Sequence, residues 1–209
     1  SEIDSWLEEI VNGSFLNDCA AKKVDFKDIA FSGNGEPTAT PEFESIVKIV
    51  LKKIDKFQLS KTIKLRLITN GSYLNKKNVQ NGLEHMKSLD HEVWFKIDHV
   101  NPKETLKINR INLSTASLRK NLQSAISISP TIVQTCLLKI NKKIPSNDFV
   151  NEYIKFLEPY APKLKAIHLY SMVRPSQQKT DLQIEALDKR QLEIIADKMN
   201  ILKTKIECY

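Results

Sequence analysis

The pentapeptide GNGEP places Gly33, Asn34, Gly35, Glu36 and Pro37 directly after a short apolar run, in a chain with only five glycines. Glycine allows left-handed backbone and, having no side chain, lets main-chain groups approach a partner closely. Two readings fit this cluster. It is a strand-to-helix turn in which Glu36 and Pro37 open the next helix, or it is one wall of a cofactor site. Asn70, within TNGS at 69–72, sits in a turn signal. Lys96 and Asp98 alternate with Phe95 and Ile97, so in a strand both face the same way. Buried together, such charges must pair or bind something, because an isolated buried charge is costly. Gln134 and Cys136 lie in a further apolar run, and Ser171 ends another.

Several other chemistries lack their residues. His85, His91, His99 and His168 form no H-x-x-x-H pair, the spacing that sets two imidazoles on one helix face around a metal. There is no G-x-S-x-G elbow and no G-x-x-x-x-G-K-[ST] loop, which argues against a serine hydrolase and a P-loop nucleotidase. Cys19, Cys136 and Cys208 are too far apart for a disulfide framework or a close-spaced metal motif. No metal ligand and no catalytic residue is singled out.

The elements that must position these residues alternate along the chain. Residues 1–15 carry a helical stripe, with Ser1 and Asp4 at capping-box spacing. Strands are expected within 28–33, 62–72, 92–98, 131–140, 164–173 and 204–209. Amphipathic helices are expected within 42–57, 75–89, 113–127, 146–160 and 188–202. This alternation predicts an α/β chain with a parallel sheet and helical crossovers, either a barrel or a doubly wound sheet. The polar candidates fall at the carboxyl ends of the strands, where ligands of such folds gather. At 209 residues, and with no evident linker, one domain over 1–209 is the expected organisation.

With its strand ends in this order, the sequence resembles the radical S-adenosylmethionine superfamily over nearly its whole length. FSGNGEPT at 31–38 is similar to the glycine-glutamate motif of that family, LITNGSYL at 67–74 to the next strand end, and VWFKID at 93–98 to the one after, with KINR at 107–110 as the following loop. LYSMVRPSQQ at 169–178 and the helix beyond it resemble an iron-sulfur oxidoreductase branch related to the wyosine-base synthases. The resemblance implies a partial (β/α)6 barrel holding S-adenosylmethionine against a four-iron four-sulfur cluster. Gly33, Asn34, Gly35, Glu36 and Pro37 would form the edge that accepts the methionyl ammonium, which has only donors to offer. Asn70, Lys96 and Asp98 would meet the carboxylate and the ribose hydroxyls, and Gln134 with the backbone at Ser171 the adenine. The implied reaction is reductive cleavage to a 5'-deoxyadenosyl radical and hydrogen abstraction from a substrate, with flavodoxin or ferredoxin as electron donor.

The sequence departs from the family at one point. It contains no C-x3-C-x2-C cluster motif, and its first helix matches the one after the cluster loop. The expectation is that the first strand and the cluster ligands lie upstream of Ser1, and that the chain alone is inactive in radical generation. The alternative is a cluster-free barrel that binds nucleosides or RNA. The formal charge of +7 suits RNA, although the lysines are dispersed over almost every helix. No apolar run reaches the roughly 20 residues of a membrane span, so no membrane partner and a cytoplasmic location are expected.

Overall fold

The computed structural model describes residues 2–33, 35–59, 63–109, 112–173 and 182–209. By contact density they form two compact units, 1–93 with 127–129, and 94–126 with 130–209. The expected capping box at Ser1 and Asp4 rests on a residue outside the described set.

The first unit runs α1 (Glu2–Asn12), α2 (Phe15–Ala21), β1 (Asp28–Phe31), α3 (Phe43–Lys56), β2 (Lys64–Thr69), α4 (Lys77–Met86) and the start of β3 (His91–Lys96). α3 buries Phe43, Val47, Val50 and Ile54, the three-to-four spacing of one helix face. α4 answers with Val79, Gly82, Leu83 and Met86. Gly82 is what lets the two helices approach: a Cβ there would lie 2.7 Å from Cε1 of Phe43. Leu65, Leu67 and Thr69 of β2 are buried, whereas Lys64, Arg66 and Ile68 between them are half-buried. The half-buried charges find partners on neighbouring strands. Arg66 meets Asp28 of β1 at 2.5 Å, and Lys64 donates to Glu92 of β3 at 3.0 Å.

The second unit continues through α5 (Pro102–Asn109), α6 (Thr115–Ile128), β4 (Thr131–Cys136), β5 (Leu138–Ile140), α7 (Asn147–Leu157), β6 (Ala166–Tyr170), β7 (Ile184–Ala186), α8 (Lys189–Met199) and β8 (Ile206–Cys208). Ser146 caps α7 by accepting from the N–H of Phe149, and Asp188 and Gln191 close a capping box on α8. Val150, Tyr153, Phe156 and Leu157 of α7 and Leu192, Ile195 and Met199 of α8 are buried. The hydrogen-bonded strand order is β1-β2-β3-β4-β6-β8, with β1–β2, β4–β6 and β6–β8 parallel. β5 and β7 make a separate antiparallel ribbon.

Four elements differ from the sequence expectation. Cys19, in the stretch between the expected first helix and first strand, is within the helix α2, and β7 forms where no strand is expected. Lys107–Asn109 of KINR belong to α5 instead of a loop; Asn101 and Pro102 open that helix, the Asn101 side chain accepting from the N–H of Lys103. The run 131–140 is two strands. It breaks at Leu137, whose N–H still donates to Tyr170 O of β6 while its carbonyl accepts from the Ser171 hydroxyl.

Candidate functional site

In the first unit the glycine loop is organised by Glu36. Glu36 caps a short 3-10 turn, Pro37–Ala39, with its side chain accepting from the N–H of Thr38. The same oxygen, Oε1, accepts from the hydroxyls of Thr38 and Thr69. Oε2 accepts from the N–H of Asn70 at 2.8 Å. Thr38 and Thr69 are 0% and 1% exposed, so one carboxylate ties the loop after β1 to the end of β2 through buried donors. A carboxylate has about four acceptor positions. Oε1 is saturated, and Oε2 keeps room for one further donor.

Asn70 plays the turn role that its sequence signals. Its Oδ1 accepts from the N–H of Ser72, and Gly71 takes a left-handed φ of 79° while donating to Thr69 Oγ1. The left-handed glycine is therefore Gly71. Gly33 and Gly35 do not adopt such a φ, and apart from the chain neighbours no atom of the described residues lies within 4 Å of where a Cβ would stand on either. Among the described residues neither backbone strain nor packing calls for glycine at these two positions. Asn34 lies outside the described residues.

In the second unit, Lys96 and Asp98 are half-buried while Phe95 and Ile97 between them are buried, as their alternation requires. Asp98 Oδ1 accepts from the N–H of Cys136 at 2.8 Å, joining the ends of β3 and β4. Burial, reinforced by the negative charge of Asp98, pushes the Cys136 thiol up to about 12, against the opposing pull of Lys96. Tyr170 shares a hydrogen bond with that thiol and is itself raised, first by burial and then by Asp98. Gln134 is half-buried, in register with His168, and its carbonyl accepts from the N–H of Ile97. Ser171 is buried and its hydroxyl is engaged at both ends, donating to Leu137 O at 2.6 Å and accepting from the N–H of Leu187 at 2.8 Å.

Thus Glu36 and Asn70 are brought into direct contact in one unit, and Asp98 reaches Cys136 in the other. Sequence reasoning missed Thr38, Thr69 and Tyr170. The threonines carry a weak signal, since each flanks a motif residue. Tyr170 follows from alternation, two positions after His168 on β6.

Among the described residues no group of three or more side chains is placed to hold a metal ion. Iron-sulfur clusters are held by thiolates. Cys19 is on α2, Cys136 on β4 and Cys208 on β8, and burial raises both Cys136 and Cys208 toward the protonated form. These three cysteines do not fit a four-iron cluster. No helix among the described residues is long and apolar enough to cross a membrane.

No protein-family model matches the chain, and no curated protein does. Among solved structures, the fold matches the crystal structure of a domain of pyruvate-formate lyase-activating enzyme from Bacteroides vulgatus ATCC 8482. The TM-score is 0.61 at 12% identity, over 88% of this chain and 99% of that one. At this identity the likeness establishes a shared fold.

Proposed function

We propose that the chain is the core of a radical S-adenosylmethionine enzyme, a partial barrel in which the loop 33–37 holds the methionyl ammonium. The observation that carries this reading is the pairing of open glycines with a fixed glutamate. Gly33 and Gly35 are not demanded by local packing, so their missing side chains are explained by the approach of a ligand. Glu36, immobilised by Thr38, Thr69 and Asn70, fixes the loop and offers its remaining Oε2 position to a donor. The order of strand-end motifs and the fold shared with an activating enzyme of the same superfamily support the reading. When bound, S-adenosylmethionine would supply reductive cleavage and hydrogen abstraction. By the same resemblance, Asp98 would take ribose hydroxyls, Lys96 a carboxylate, and Gln134 with the backbone at Ser171 the adenine. By the resemblance to an iron-sulfur oxidoreductase branch related to the wyosine-base synthases, RNA is one candidate substrate class, and flavodoxin or ferredoxin would be the donor.

The test is S-adenosylmethionine binding by equilibrium dialysis, compared with Gly33→Val and Gly35→Val. Each substitution places a branched side chain in open space, so unfolding midpoints stay close to wild type while affinity falls about tenfold or more. No binding to the parent chain, or binding indifferent to both substitutions, refutes the ammonium edge. For the RNA assignment, log affinity should fall linearly with log salt; a flat response refutes it.

A further inference from the structure

In the second unit β5 turns back on itself as a hairpin, 138–143, and the residue at its turn is chemically unexpected. Ile140 and Lys143 exchange two backbone hydrogen bonds, the Ile140 N–H to Lys143 O at 3.0 Å and the Lys143 N–H to Ile140 O at 3.1 Å. The loop between them is two residues long, and both take left-handed backbone, Asn141 with φ 50° and Lys142 with φ 65°. Positive φ at both central positions marks the tight hairpin turn that favours Asn-Gly. Asn141 meets that preference. Lys142 stands where glycine is easiest, because a Cβ is crowded in left-handed backbone. The turn is also clamped: Asn141 donates its N–H to Gln183 O at 2.8 Å, and its Oδ1 accepts from the Gln183 N–H at 3.1 Å.

We propose, resting on RNA as the candidate substrate class, that this hairpin is a contact for its phosphate backbone, with Lys142 and Lys143 as the cations that meet it. A lysine kept at a turn position where it costs stability points to a use outside the fold. Lys142 and Lys143 are exposed, and among the described residues neither forms an ion pair. Lys139 stands opposite Glu185 in the ribbon and is offset by it, so the binding weight falls on the other two. The segment 138–144 contains no arginine. It therefore offers point charges without planar forks, which suits contact with phosphates irrespective of sequence. A membrane-inserting tip would carry aromatic or leucine side chains; this one is Asn141 and Lys142. Ile140, Lys143 and Ile144 also line a cavity at the carboxyl ends of β3 and β4, so a strand held by the hairpin runs beside the candidate residues of this unit. Asp98 and Glu104 in the same lining disfavour phosphate inside the cavity, which leaves the backbone at the rim.

The test is fluorescence anisotropy of a labelled single-stranded RNA of about 12 nucleotides, titrated with the whole chain across a range of salt. Each lysine that meets a phosphate adds about 0.7 to the slope of log affinity against log salt, which is about fivefold in affinity at about 0.1 M salt. The double variant Lys142→Gln with Lys143→Gln should therefore bind about 25-fold more weakly, with a slope shallower by about 1.4. Lys142→Gly separates binding from folding. It should raise the urea midpoint, because glycine suits the turn, and still weaken RNA binding about fivefold. A midpoint that it leaves unchanged or lowers removes the case for a lysine kept against stability. Salt-dependent RNA binding that all these substitutions leave unchanged overturns the hairpin contact alone. A flat salt response of the parent chain removes RNA itself, and the hairpin contact with it. Displacement of the RNA by polyglutamate at equal charge overturns the nucleic-acid assignment in favour of an acidic protein.

Discussion

Glu36→Ala is the most searching perturbation, because it removes one carboxylate and strands donors from two loops at once. The Thr38 N–H and hydroxyl are in the same turn as Glu36, and water can reach them once that turn opens. The Thr69 hydroxyl and Asn70 N–H are at the end of β2 and have no such release. A buried donor left without its acceptor costs about 1–3 kcal/mol, so the pair sets an expected loss of about 3 kcal/mol. For a chain of this size that lowers Tm by about 6–12 °C. Glu36→Gln should fall between, since one amide oxygen can serve Thr69 or Asn70 but not both. Urea unfolding followed by circular dichroism gives the free energies, and a double-mutant cycle with Thr69→Val gives the coupling, expected at about 1–2 kcal/mol. A loss below about 0.5 kcal/mol for Glu36→Ala, or additive costs in the cycle, would refute the role of Glu36 as the organiser of the loop.

Gly82→Ala should destabilise by about 1 kcal/mol, the overpacking of Phe43 outweighing the gain in helix propensity; a urea midpoint at or above wild type contradicts the close approach of α3 and α4. Cys136 should react with iodoacetamide at pH 8 about a thousandfold more slowly than an unperturbed cysteine, because a thiol at about 12 is almost wholly protonated there. Mass spectrometry over time measures the rate, and labelling as fast as free cysteine would remove the burial argument. Hydrogen bonds from Lys53 and Lys56 hold the Glu8 carboxyl down at about 2, against an ordinary value of 4.5. The stability that this bridge between α1 and α3 contributes is complete above pH 4.5 and is lost as pH falls through about 2. Glu8 is exposed, so the effect should be small and weakened by salt. The fall in urea midpoint over that pH window should be shallower in Glu8→Gln, and identical slopes would count against the bridge.

Much of the scaffold was legible because its periods are clean. β2 alternates Lys64-Leu65-Arg66-Leu67 as a strand must, and α3 repeats Phe43, Val47, Val50 and Ile54 as a helix face must. What stayed hidden depends on partners far along the chain. At the break, the Leu137 carbonyl takes a hydrogen bond from Ser171, 34 positions on, and the run 131–140, with no glycine or proline in it, carries no local mark of the interruption. The ribbon of β5 and β7 consists of two three-residue strands, too short for alternation to register. At the site, the glycine-glutamate cluster was visible but its mechanics were not. Glu36 reaches Thr69 across 33 positions, and the left-handed conformation fell to Gly71 instead of Gly33 or Gly35.

The unusual polarity of the strands bears on where a ligand can act. Parallel sheets are ordinarily covered on both faces and read as continuous apolar runs. Here one set of positions is apolar and buried, including Leu65 and Leu67 in the first unit and Phe95, Val133, Ile167 and Leu169 in the second. The alternate set carries most of the polar residues, and its charged members are largely satisfied within the protein. In the first unit Asp28 pairs with Arg66, and Glu92 with Lys64. In the second, His168 bonds Glu207 at 2.9 Å and packs edge-on against Trp94. Charges neutralised in this way hold the strands in register and have little left for a ligand. In the first unit acceptor capacity survives at a strand end, at Oε2 of Glu36, where the chain turns. That contrast, from ion pairs toward the amino ends and middles of the strands to the spare Oε2 position at a carboxyl end, favours the loop after β1 as the place where a donor ligand acts in the first unit.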